Sequence, residues 1–177
     1  AFEGSGETFD VSILECKVTV DQNLTQKGIQ FDLVFGSDEF PEFSDSSFVE
    51  VAGVFVNGEH VGQFNQNNNQ PLSIISENLD VGNFRATGSS VSDLGGPVPE
   101  GTPTTELPLE YDGVSSRVKV VAPLEVGENT IKIGVADTGD QRFDSGLFVS
   151  NLATTAPTRG SGLLTNDQRT RRRSARS

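Results

Sequence analysis

Apolar residues in this chain recur at every second position, and no stretch carries a sustained apolar stripe at helical spacing. Ile29, Phe31, Leu33 and Phe35 alternate with Gln30, Asp32 and Val34, the pattern of a strand with one face buried. Val114, Ser116, Val118 and Val120 alternate with Arg117 and Lys119, and Ile131, Ile133 and Val135 flank Lys132 in the same way. The first strand changes phase: Phe9, Val11 and Ile13 share one face, then Leu14, Cys16, Val18 and Val20 share the other, which predicts a β-bulge near Ile13-Leu14. Val51-Ala52-Gly53-Val54-Phe55-Val56 is apolar on both faces and reads as a central strand. Asn57-Gly58 follows as a hairpin turn leading into His60, Val61 and Phe64. A last strand is expected over about Leu147 to Leu152.

Between these strands, residues 65–106 differ in character. They hold the polar run Asn65-Gln66-Asn67-Asn68-Asn69-Gln70 and the breaker-rich Gly95-Gly96-Pro97-Val98-Pro99-Glu100-Gly101-Thr102-Pro103, with a short helical turn expected near 76–79. About eight to ten strands are expected in one unit of this size, so the fold class is all-β, an antiparallel two-sheet sandwich or jelly roll with long loops. The organisation reads as an N-terminal extension at 1–8, a sandwich domain at 9–156 and a basic tail at 157–177.

Charge divides the chain unevenly. Its net charge is −12, yet the last nineteen residues carry six arginines and one acid, which leaves −17 on the first 158. A body this acidic repels nucleic-acid phosphates, and the Arg-rich tail lacks aromatic residues for base stacking. The tail is expected either to stay solvated or to dock on an acidic surface of its own or a neighbouring molecule. No run approaches the length of apolar sequence that a membrane helix needs. Ala1-Phe2-Glu3-Gly4 does not read as a signal peptide, and a mature, exported chain is the expectation. The single Cys16 excludes an intrachain disulfide or a thiolate zinc site, and the single His60 excludes a histidine-clustered metal. Cys16 is expected to be a small buried apolar group, His60 a hairpin residue without a catalytic task, and Phe31, Phe35, Phe55 and Phe148 core.

Acidic residues cluster just outside the apolar strands: Asp38-Glu39-Phe40-Pro41-Glu42 after Phe35-Gly36, Glu50 before Val51, and Asp137-Thr138-Gly139-Asp140 with Asp144 after Val135. Carboxylates crowded at strand ends repel unless a cation neutralises them, and Ca²⁺ accepts such oxygen ligands without strict geometry. Asp137-Thr138-Gly139 also spells the aspartic-protease tripeptide, but that chemistry needs two such carboxylates and one copy is present. A glycosidase acid pair would ordinarily sit beside aromatic sugar platforms, and the chain has no Trp and one Tyr.

These residues resemble the choice-of-anchor L domains of exported bacterial and archaeal surface proteins. Phe35-Gly36-Ser37-Asp38-Glu39-Phe40-Pro41-Glu42-Phe43 follows that family's first block, and Val49-Glu50-Val51-Ala52-Gly53-Val54-Phe55 its second, with Val49 where the family has Asn. Tyr111-Asp112-Gly113 and Ala136-Asp137-Thr138-Gly139-Asp140-Gln141-Arg142-Phe143-Asp144-Ser145 correspond to two later blocks. The resemblance spans about residues 9–153 and implies a secreted or cell-surface module with no defined catalytic activity. Residues 154–177 hold no sortase motif or hydrophobic tail, so retention by protein contacts, or release, is expected.

The expected function is therefore that of a secreted, calcium-stabilised, non-catalytic structural module. Glu39, Glu42, Asp137, Asp140 and Asp144 are the candidate Ca²⁺ ligands, together with Glu50. Self-association through the terminal extensions into an extracellular filament or matrix is the favoured assembly. The alternative is a calcium-dependent adhesin module that presents its 65–106 loops to a surface glycan or peptide. Nucleic-acid binding by the core and a membrane span are not expected.

Overall fold

The structure is a computed structural model that describes residues 8–41, 43–44, 50–64, 71–74, 84–87, 104–105, 109–138, 145–157 and 160–163. Its described residues form two sheets that are not closed into a barrel, with no helix among them. In the first sheet, β1 (Thr8–Val20), β10 (Gly127–Thr138) and β3 (Val51–Val56) run in that order. The short β4 (Glu59–His60) and β5 (Leu72–Ser73) both pair with β3. The second sheet is built around β2 (Gly28–Ser37). Along one side of β2 runs β11 (Ser145–Thr155), and along the other β9 (Val118–Pro123) and β8 (Gly113–Ser115) follow end to end. β12 (Gly160–Leu163) extends the sheet beyond β9, and β6 (Phe84–Thr87) extends it beyond β8. All pairing is antiparallel except that of β6 with β7 (Thr104–Thr105).

The alternation read along β2 sets its inner face. Ile29, Phe31, Leu33 and Phe35 are buried in one core with Val54, Val56, Ile131, Val118 and Val120. Its outer face is more covered than a half-buried strand would be. Asp32 is 1% exposed there, accepting from Asn151 Nδ2 at 2.7 Å and facing the Arg117 guanidinium at 3.7 Å. Asn151 reaches it from the irregularity between Ser150 and Ala153 of β11, with a left-handed φ of 57°.

The Asn57-Gly58 turn forms as expected, with φ of 51° and 83°. Asn57 is also bound to the neighbouring strand: its Oδ1 accepts from Thr130 N at 2.9 Å, and its Nδ2 donates to Asn129 Oδ1 at 2.9 Å. Fully buried Asn129 in turn accepts from Glu125 N at 2.7 Å and donates to Glu125 O at 2.8 Å, so one amide fastens two turns.

Several expectations are corrected. Cys16 is exposed: among the described residues β1 pairs with β10 alone, and its inward face meets the core through Val18 and Val20. The register slip of β1 falls between Phe9 and Ser12, earlier than Ile13-Leu14, which are both 57% exposed. Phe148 is 42% exposed: opposite Val34, it lies on the outer face of a second edge strand. Phe55, expected in the core, is half-buried, and its ring stacks on hairpin residue His60 with centroids 4.9 Å apart. Within 65–106, β5, β6 and β7 are too short for a period to register in sequence. The turn expected at 76–79 lies outside the described residues. Residues 160–163, read as tail, supply β12.

Candidate functional site

Strand register carries the four sequence blocks to one end of the sandwich. Ser37, the last residue of β2, sits opposite Gly113 on one side and Ser145 on the other. In the other sheet Val51 pairs with Ala136, which sets Glu50 and Asp137 side by side at the strand ends. The Ser37 hydroxyl donates to Glu50 Oε2 and so ties the two sheets together.

Packing explains the residues around these acids. Tyr111 lies across the paired Gly36 and Gly146. A Cβ on Gly36 would come 2.7 Å from Tyr111 Cδ2, and one on Gly146 would come 2.3 Å from Tyr111 Oη. Gly113 leaves room for Phe40, since a Cβ there would lie 2.3 Å from the Phe40 ring. Phe40 is buried and stacks on Phe84 at 5.8 Å, which seats the turn after β2 directly on the core. In that turn Glu39 N donates to Ser37 Oγ at 3.1 Å, and Phe43 N to Glu39 O at 3.0 Å. Asp112 N donates to Asp38 Oδ1 at 3.3 Å, so the Tyr111-Asp112-Gly113 segment is joined to the same turn.

Glu39, Glu50, Asp112 and Asp137 are all buried at this end, and Asp38 is half-buried. Glu50 is the most enclosed, at 0% exposure, and its Oε1 makes no hydrogen bond. Burial raises its pKa to about 7. The Ser145 and Ser37 hydroxyls oppose the rise, while the charges of Asp137 and Asp38 add to it. Asp137 and Asp38 therefore act on Glu50 from two different strand ends.

Of the six candidate ligands, Glu39, Glu50 and Asp137 stand at this end, whereas Glu42, Asp140 and Asp144 lie outside the described residues. Among the described residues no three His, Cys, Asp or Glu side chains close into a ready-made metal shell. Sequence reasoning passed over Asp112, Ser37 and Ser145 as members of the cluster. All three lie within or next to the quoted blocks, so the signal was present as motif spacing without a geometry to give it meaning.

The choice-of-anchor L domain model matches residues 2–153. This chain belongs to that family. No curated protein and no solved structure matches. Choice-of-anchor L domains are surface- or anchor-associated extracellular modules, non-enzymatic in type. Among the described residues no helix is long and apolar enough to cross a membrane. The family's blocks here have distinct tasks: Gly36 and Gly113, with Gly146 just after the last block, make room for aromatic rings, Phe35 and Phe40 fill the core, and Ser37 binds the carboxylate of Glu50. Glu50 is fully buried at this end.

Proposed function

We propose that this choice-of-anchor L domain is an exported structural module that Ca²⁺ locks at its acidic end and that assembles with its own copies into a filament or matrix. The observation that carries the calcium reading is Glu50: a buried carboxylate with Oε1 outside any hydrogen bond and two further carboxylates acting on it. Such a group is costly to ionise unless a proton or a cation neutralises it. The donor set is all oxygen, as a hard cation requires. Glu39, Glu50 and Asp137 would hold the ion with Glu42, Asp140 and Asp144, which lie outside the described residues. When bound, such an ion would supply charge neutralisation between the turn after β2 and the end of β10. The chain's own residues position the pocket, through Ser37 on Glu50 and Phe40 on the core.

Thermal unfolding of the full chain with calcium and with a chelator tests this reading, in wild type and Glu50→Gln. Calcium is expected to raise the melting temperature of wild type and to do so much less in the variant. Equal responses would remove Glu50 from the site, and indifference of wild type to calcium would remove the site altogether.

Self-association is supported by the two long edge strands. Among the described residues, β1 and β11 carry the exposed apolar side chains Val11, Ile13, Leu14, Phe148, Val149 and Leu152. Sedimentation of the full chain is expected to show species larger than a monomer. A strict monomer with a calcium-dependent melting temperature would favour the adhesin reading instead.

A further inference from the structure

β1 closes its sheet with a thirteen-residue edge that pairs on one side with β10 and on the other with no described strand. The β10 register places Leu14, Cys16 and Val18 on the inward face, opposite Ile133, Ile131 and Asn129. Glu15 and Lys17 stand on the outer face, opposite Lys132 and Thr130. There the charges already alternate across the sheet: Lys17 Nζ meets Glu128 Oε1 at 3.0 Å, and Lys132 Nζ meets Glu15 Oε2 at 3.1 Å, all at exposed positions.

A second copy of β1 can add antiparallel to this edge in a few symmetric registers, and charge separates them. A two-fold axis at Glu15 sets Glu15 against itself, and one at Lys17 sets Lys17 against itself, both unfavourable. An axis at Leu14 sets Glu15 opposite Ile13 and Lys17 opposite Val11. Only an axis at Cys16 sets Glu15 opposite Lys17 twice over, with Leu14 opposite Val18 on the inward face.

We propose that two copies of this chain pair antiparallel through β1 about a two-fold axis at Cys16, making one continuous sheet across the dimer. This deepens the self-association reading, on which it rests, by naming one of its surfaces: a two-fold contact closes a dimer, and a second contact would extend dimers into a filament. The charge ladder then runs unbroken from Glu128 and Lys17 of one copy to Glu15 and Lys132 of the second copy. The contact is isologous, the same patch serving both sides. It also brings the two Cys16 thiols face to face. Directly opposed Cα atoms of an antiparallel pair are about 4.5–5.5 Å apart, inside the roughly 4.4–6.8 Å that a disulfide spans. A small-molecule disulfide would be the oxidant. One Cys16 thiolate displaces half of it to form a mixed disulfide, and the second copy's Cys16 thiolate then displaces the other half. The Sγ–Sγ bond replaces the reagent's S–S bond, the reagent leaves as two thiols, and those thiols carry the two protons.

The test uses the full chain in a glutathione redox buffer, followed on non-reducing gels with mass spectrometry of the cross-linked peptide. Wild type is expected to form a covalent Cys16–Cys16 dimer. Lys17→Glu alone and Glu15→Lys alone each set like charges against each other and should cross-link roughly tenfold more slowly. Mixed together, the two variants restore opposite charges at both positions and should cross-link preferentially as the heterodimer, distinguished by mass. Thermal melts of each variant verify that the fold is kept. Equal rates in wild type and Lys17→Glu, or no heterodimer preference in the mixture, would overturn the register. Persistent large species in Lys17→Glu without the cross-link would overturn this contact while leaving self-association standing. A wild type that is monomeric by sedimentation and does not cross-link would end both.

Discussion

Glu50 is the residue whose chemistry is most altered by the fold. In the unfolded chain it titrates as an ordinary glutamate, and in the calcium-free folded chain only near 7, because burial disfavours its charge. The folded state thus holds this proton more tightly. The contribution is fully present below the ordinary glutamate pKa of 4.5 and is lost as pH rises through about 7. Without calcium, stability is therefore expected to fall across that window by an amount on the order of 3 kcal/mol from this group. Urea unfolding in chelator at several pH values measures it. Glu50→Gln should flatten that slope, because the amide has no proton to lose. Ser37→Ala should steepen it, because the hydroxyl that steadies the charged form is gone. A slope that survives in Glu50→Gln would assign the titration to another group. The acidic character of the cluster was legible in the sequence. The singling out of Glu50 was not, since a Glu before an apolar strand is as often solvated, and only the packing of two sheets removes it from water.

At the level of the elements, Gly58 of the hairpin turn and Gly113 of the Tyr111-Asp112-Gly113 block are of two kinds that a sequence presents alike. Gly58 needs its left-handed φ of 83° and has open space around it, while Gly113 is needed for room. Gly58→Ala is expected to cost about 1 kcal/mol for the backbone conformation alone. Gly113→Ala must push Phe40 from its stack on Phe84 and is expected to cost about 1–3 kcal/mol. It should also weaken calcium-dependent stabilisation, because Phe40 seats the turn that carries Glu39. Denaturant midpoints for the two variants, with and without calcium, check both the order and the coupling. The long strands β2 and β10 were legible because each repeats its alternation over several residues, and β3 because its apolar run ends at the Asn57-Gly58 turn. Strands β5 and β7, with two residues each, leave no period to read. Cys16 and Phe148 misled for one shared reason: alternation gives the face of a strand but not whether another sheet covers that face.

For the whole molecule, calcium at a hundredfold excess over its Kd would add about 2.7 kcal/mol to stability by mass action. In a unit of this size that corresponds to a rise in melting temperature of about 5–10 °C. Calorimetry with calcium and with chelator reads it directly. Truncation after residue 163, which keeps β12 on β9 and removes the Arg-rich segment, is expected to reduce any assembly that depends on the basic tail docking on the acidic body. Raised salt should act in the same direction on the full chain. Undiminished assembly of the truncated chain would place the contact elsewhere, with β1 the named surface. The sequence alone determined the all-β class, the central β3 with its Asn-Gly turn, the inner face of β2 and the family blocks, because these are local patterns written into consecutive residues. Tertiary structure alone decided which strands became edges, that Asp112, Glu50 and Asp137 share one end of the sandwich, and that Glu50 is the carboxylate denied water. Those are outcomes of register and of sheet stacking between residues far apart in the chain, and no local pattern encodes them.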